Sequence, residues 1–136
     1  MNRNKCIGLI LFSLFLCACS GGMQAGSTST EPPIGNAAEG EKLFQQPTIG
    51  SAPSCSVCHS IEPDQVIVGP SLAGVANRAG SRVKGQTAQV YLRTSILDPN
   101  AYIVDGFTSG TMYQHYKDAL SDQQVNDLVA YLLTLK

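Results

Sequence analysis

Five consecutive residues carry the densest chemistry of the chain: Cys55-Ser56-Val57-Cys58-His59, a C-x-x-C-H spacing. Two thiols three positions apart on one helical turn can add to the two vinyl groups along one edge of a porphyrin. The adjacent histidine then comes under the ring, where its imidazole can bind iron. The spacing therefore reads as covalent attachment of one haem c. Other chemistries fit it less well. A structural zinc site needs four ligands, and there is no second C-x-x-C pair to supply them. A thioredoxin-like redox pair wants a preceding strand and a β-α-β frame, which the hydrophobic pattern does not offer. An inert disulfide suits an exported chain but leaves His59 without a role.

A second concentration of donors lies nearer the end. Residues 100–120 lack a helical or strand pattern yet contain Gly106, Gly110, Met112 and His115. A structureless connection of about 20 residues is uncommon in a small domain unless it serves a site.

These groups must be positioned by a domain of about 100 residues, from Asn36 to Lys136. Asn36 and Glu39 have the form of a capping box, Ala37, Gly40, Leu43 and Phe44 share a helical face, and Pro47 lies just past the stop. A second helix is predicted from Gln86 or Thr87 to Leu97, with Val90, Tyr91, Thr94 and Leu97 together and Asp98-Pro99 closing it. The last begins at a Ser121/Gln124 capping box and carries Val125, Leu128, Val129, Leu132 and Leu133 at i, i+3, i+4, i+7, i+8. Residues 51–85 read as irregular, no segment alternates with period two for long, and the class is all-α. Three modest helices and two long loops bury little apolar surface by themselves, and a large apolar cofactor would supply the missing core.

The front of the chain has a different composition. Residues 1–5 carry Arg3 and Lys5 without an acid, and residues 6–16 run apolar with Gly8 and Ser13 as interruptions. That run is too short to span a bilayer and has the length of a signal peptide's hydrophobic region. It ends in Leu16-Cys17-Ala18-Cys19, which resembles the lipobox of bacterial lipoproteins. The resemblance implies cleavage after residue 18 and lipid on Cys19, with the mature protein held on the membrane without crossing it. Stable anchoring takes two or more acyl chains, which such a lipid provides. Residues 19–35 are rich in Gly, Ser, Thr and Pro and form a flexible tether with a root-mean-square reach of roughly 20–24 Å. Cleavage would remove Arg3 and Lys5 and no acid, leaving 7 basic residues against 10 acidic, a net of −3. Nucleic-acid binders carry a basic stripe, so no nucleic-acid partner is expected.

The combination of motifs resembles the class I c-type cytochromes. Gly40 and Phe44, with Tyr131, look like the crossing of that family's first and last helices. Gly69-Pro70-Ser71-Leu72 looks like its turn after the haem motif, which implies that the Pro70 carbonyl accepts the Nδ1 proton of His59 and orients the iron ligand. The family's sixth ligand is a methionine before the last helix, which falls on Met112. Here Tyr113 follows it where many members have proline, and His115 stands three residues on as the competing donor. Arg78, Arg82 and Arg93 are candidates to meet haem propionates. Tyr91, Tyr102, Tyr113 and Tyr116 read as packing residues. The stretch from Tyr91 to Asn100, with Tyr102-Ile103-Val104-Asp105-Gly106-Phe107, is similar to monohaem subunits of alternative complex III and to cytochrome domains of haem-copper oxidases.

The resemblance implies an electron carrier on the outer face of the bacterial cytoplasmic membrane, working with a quinol-oxidising complex, another cytochrome or an oxidase. Two side-chain ligands on iron would leave no place for substrate. A haem enzyme would need a displaceable sixth ligand and usually a second haem, and a haem sensor would need a signalling domain.

Overall fold

The computed structural model describes residues 35–136. The expected signal peptide, Cys19 and the expected tether up to residue 34 lie outside the described residues. Gly35, at the end of the tether, already lies against the backbone of Asn126 and Asp127.

Among the described residues there are five α-helices. They are α1 (Ala37–Gln45), α2 (Val75–Arg82), α3 (Ala88–Leu97), α4 (Tyr116–Ala119) and α5 (Asp122–Leu132). A two-residue hairpin, β1 (Thr48–Ile49) with β2 (Ala52–Pro53), turns the chain between α1 and the haem motif. Helix α1 crosses α5, and α3 packs on both α2 and α5. The architecture is all-α apart from the hairpin, the class that the sequence predicts.

Helix α5 follows its sequence closely. Ser121 accepts from the amide of Gln124, and the Gln124 side chain accepts from the amide of Ser121 at 2.9 Å. Val125, Leu128, Val129 and Leu132 are buried on one stripe. At the start of α1 the capping box is only half formed. The Asn36 side chain accepts from the amides of Ala38 and Glu39, but Glu39 turns outward to Lys42 at 2.8 Å. The free amide of Asn36 instead donates to the buried carboxylate of Asp127 at 2.7 Å, which ties the first helix to the last.

Two expectations from the sequence need correction. Val90 does not join the buried face of α3. It is exposed, and Leu92 and Ile96 lie with Tyr91 in the core instead. The two irregular stretches also contain short helices: α2 in the first and α4 in the second. Helix α2 buries only Val75 and Ala79 and follows Gly74 in a left-handed conformation (φ 66°) with no side-chain cap. It therefore shows neither a wide apolar stripe nor a start signal.

Candidate functional site: a haem cleft

Cys55–Val57 form a single 3-10 turn, and the amides of Cys58 and His59 both donate to the carbonyl of Cys55, at 3.1 and 2.9 Å. In that geometry residues three apart eclipse one another, so Cys55 and Cys58 face the same way. Both line one cleft, together with His59. Neither is in a disulfide. Burial, with the neighbouring Cys58 adding to it, pushes the Cys55 thiol up to about 12, against the opposing pull of a backbone hydrogen bond. The thiol is therefore neutral, unlike a catalytic or redox cysteine, whose thiolate is stabilised.

The chain after the motif folds straight back on it. The amides of Val68 and Gly69 both donate to the carbonyl of Cys58, at 3.1 and 2.9 Å, and His59 bridges Val66. This return lays Gly69 flat on the imidazole, where a Cβ would collide with the His59 ring. The next residue presents its carbonyl: His59 Nδ1 lies 2.8 Å from the Pro70 oxygen. A carbonyl can only accept, so Nδ1 carries the proton and Nε2 keeps its lone pair for a metal. Burial lowers the histidine's pKa, and the bond to Pro70 only partly opposes it, so the ring is neutral.

The rest of the cleft is mostly apolar, with Ser54, Ser95, Asn100, Thr108 and Thr111 as the polar members of its lining. Tyr91, Leu92 and Ile96 come from α3, Leu132 from α5, and Tyr102, Ile103, Val104, Phe107 and Met112 from the loop between α3 and α4. About 1160 Å³ of space free of protein atoms lies within it, open solvent at its mouth included. Among the described residues no group of three His, Cys, Asp or Glu could hold a bare metal ion. Two cysteines free of any disulfide and one oriented imidazole at the edge of a large apolar cleft fit a porphyrin whose iron is carried by the macrocycle.

The remaining candidates separate cleanly. Met112 lines the cleft, whereas His115 is exposed and faces Asp118 at 3.8 Å. None of the three arginines lines it. The Arg78 guanidinium donates to the carbonyls of Ser71, at 2.6 Å, and Ala73. Arg93 is bound to Asn126 at 2.8 Å and to Asp122, both on α5. Arg82 lies at a shallow surface cavity beside Arg78 and Lys136. The tyrosines pack as expected: Tyr91 sits edge-on to Tyr102 with centroids 5.7 Å apart, and Tyr113 to Tyr116 at 5.0 Å. Tyr116 also donates to the Pro53 carbonyl at 2.8 Å. Sequence reasoning missed Asn100 and Gln114, whose side chains bond each other across the loop that carries Met112. In the sequence Asn100 appears only as the end of the stretch from Tyr91 that is similar to other cytochromes, with no role attached to it.

No curated protein matches the chain in sequence. The Cytochrome c family model matches residues 37–136, the whole helical domain around the cleft. The match and the cleft agree on one covalent haem c and on one-electron transfer as its work. The chain thus belongs to the cytochrome c family.

Proposed function

We propose that this is a high-potential electron carrier tethered to the outer face of a bacterial membrane, with His59 and Met112 as the axial iron ligands. The observation that carries the reading is that Met112 lines the cleft while His115 points to solvent. The bound haem supplies the one-electron couple. His59 offers Nε2 because Pro70 holds the proton on Nδ1, and Met112 offers a thioether that raises the reduction potential relative to a second histidine. Apolar side chains from α3 and the following loop keep water from the iron.

Electrons leave near the cysteines. Val57, Val66, Ile67 and Val68 are each about half exposed there, beside the motif whose two cysteines would hold the haem. Such a patch suits a brief encounter with a redox partner, since redox complexes use small interfaces. The partner is a quinol-oxidising complex or an oxidase, as the similarity of residues 91–107 to cytochrome subunits of those assemblies suggests. No helix among the described residues is long and apolar enough to cross a membrane. Attachment is assigned to lipid on Cys19.

Two measurements test this. The oxidised protein should show the weak far-red charge-transfer band of an iron–sulfur bond. Met112→Ala should abolish the band, lower the potential and let the reduced protein bind carbon monoxide, while His115→Ala does none of these. The reverse pattern would overturn the ligand assignment. Separately, Cys19→Ser should release the holoprotein from membranes with haem attachment intact. Retention without lipid on the wild-type N-terminus would remove the anchor.

A further inference from the structure

We propose that Asn100 is the positioning residue that holds Met112 at the cleft, acting through Gln114 and the Ser109-Gly110 turn. The proposal rests on the reading of Met112 as an iron ligand.

Residues 98–115 contain no helix or strand, and Gly106 and Gly110 take left-handed conformations, φ 87° and 79°. The backbone bonds of this segment are short-range turns: Ala101 to Asp98, Phe107 to Val104 and Thr111 to Thr108. None of them connects Met112 to a rigid element. The side chain of Asn100 does. Its Oδ1 accepts from Ser109 Oγ and from the amide of Gly110, both at 2.9 Å. Its Nδ2 donates to Gln114 Oε1 at 2.5 Å, and Gln114 Nε2 donates to the Met112 carbonyl at 2.6 Å.

One amide thus grips the loop on both sides of Met112, two residues before it and two after. The grip is anchored, because Asn100 stands three residues past the end of α3, after the buried Pro99, and α3 itself holds Tyr91, Leu92 and Ile96 in the core. An amide is the side chain this position needs. It combines an acceptor with two lone pairs and a donor, whereas aspartate offers only the acceptors and alanine neither. The two donors facing Oδ1 also fix which way the amide points. A ligand on a loop stays on its metal only as long as the loop stays closed, and Asn100 closes this one.

The test is displacement of the methionine by imidazole in the oxidised holoprotein, read by loss of the far-red band. In Asn100→Ala, where three hydrogen bonds go, the loop opens more readily and imidazole affinity should rise about tenfold with the band still present in its absence. Asn100→Asp, which keeps the two accepted bonds, should fall between. Gln114→Ala removes a single arm and should raise affinity about threefold, which keeps the test alive if Asn100→Ala fails to mature. Asn36→Ala, which uncaps α1 far along the chain, is the control for general destabilisation and should leave imidazole affinity unchanged. Affinities within about twofold of wild type for both Asn100→Ala and Gln114→Ala, or an equal rise in Asn36→Ala, would overturn the clamp. A wild-type protein without the far-red band would instead overturn the ligand reading itself.

Discussion

His59 is held between two consecutive residues: the Pro70 carbonyl lies 2.8 Å from its Nδ1, and the Gly69 backbone lies flat on its ring. The two contacts act together, because the same turn that aims the carbonyl brings the glycine too close for any side chain. Gly69→Ala should therefore push the imidazole off line, at a cost of about 1–3 kcal/mol from overpacking. The holoprotein should lose part of its low-spin character and unfold at lower denaturant. An unchanged spectrum and midpoint would mean that the ring has room to move.

Gly40 makes a similar close approach, between helices. A Cβ there would run into the Asp127 carbonyl and come within 2.8 Å of Tyr131 Cβ, while the Phe44 ring packs at a tilt of 54° against Tyr131, 5.4 Å between centroids. On an open helix face Gly→Ala stabilises by about 1 kcal/mol. Here the sign should reverse. Gly40→Ala should destabilise, and Gly40→Val should cost about 1–3 kcal/mol or more as the helices are forced apart. Denaturant unfolding of the holoprotein decides it, and a neutral Gly40→Val would contradict the close crossing.

What the sequence could express was whatever depends on near neighbours. The haem motif lies within five residues, the stripe of α5 within eleven, and the Ser121/Gln124 box within four, so each is legible in the order of residues. The glycine and aromatic of the α1–α5 crossing needed the family resemblance, because nothing local says that Gly40 meets Tyr131. Tertiary partners that share no pattern were out of reach. Asp127 replaces Glu39 at the amide of Asn36 from 91 residues away. Val90 looked apolar enough for the core, but on α3 the inner face falls to Leu92 and Ile96. The bonds around Met112 join Asn100, Ser109, Gly110 and Gln114, a grouping that only the closed loop creates.

Tyr116 couples stability to pH at the alkaline end. Its hydroxyl donates to the Pro53 carbonyl at 2.8 Å, and burial raises its pKa above the usual value of about 10. The nearby Cys55 and Cys58 thiols add to that shift in the free chain, but thioethers carry no charge, so burial and the neighbouring Tyr113 are the parts that persist with haem attached. A raised folded pKa means that the unfolded chain ionises first. The stabilisation is whole below about pH 10 and drains away as pH rises toward the folded value. Tyr116→Phe should lose about 1 kcal/mol at neutral pH with the hydrogen bond. It should also show a flatter fall in stability above about pH 10 than wild type. Parallel curves would assign the alkaline loss to other tyrosines, Tyr131 first, since burial raises its pKa as well.

The proposed docking face can be tested without touching the iron. Val66, Ile67 and Val68 stand on the return loop with exposures of 60%, 49% and 48%, and their backbone is fixed to the haem motif through the Cys58 carbonyl and the His59 bridge. Their side chains can therefore change while the loop keeps its shape, and surface substitutions of this kind usually move stability by no more than about 0.5 kcal/mol. A charge placed there must be desolvated each time a partner docks on an apolar patch. Ile67→Lys should slow electron exchange with membranes of the source organism by about tenfold, the effect of losing one central apolar contact. Its reduction potential and its rate of reduction by ascorbate, which is too small to need the patch, should match wild type. Val90→Lys is the matched control, because Val90 is equally exposed at 48% but belongs to α3 and not to the return loop. If Val90→Lys slows the exchange as much as Ile67→Lys, the effect is one of net charge, and the electrons leave by another face.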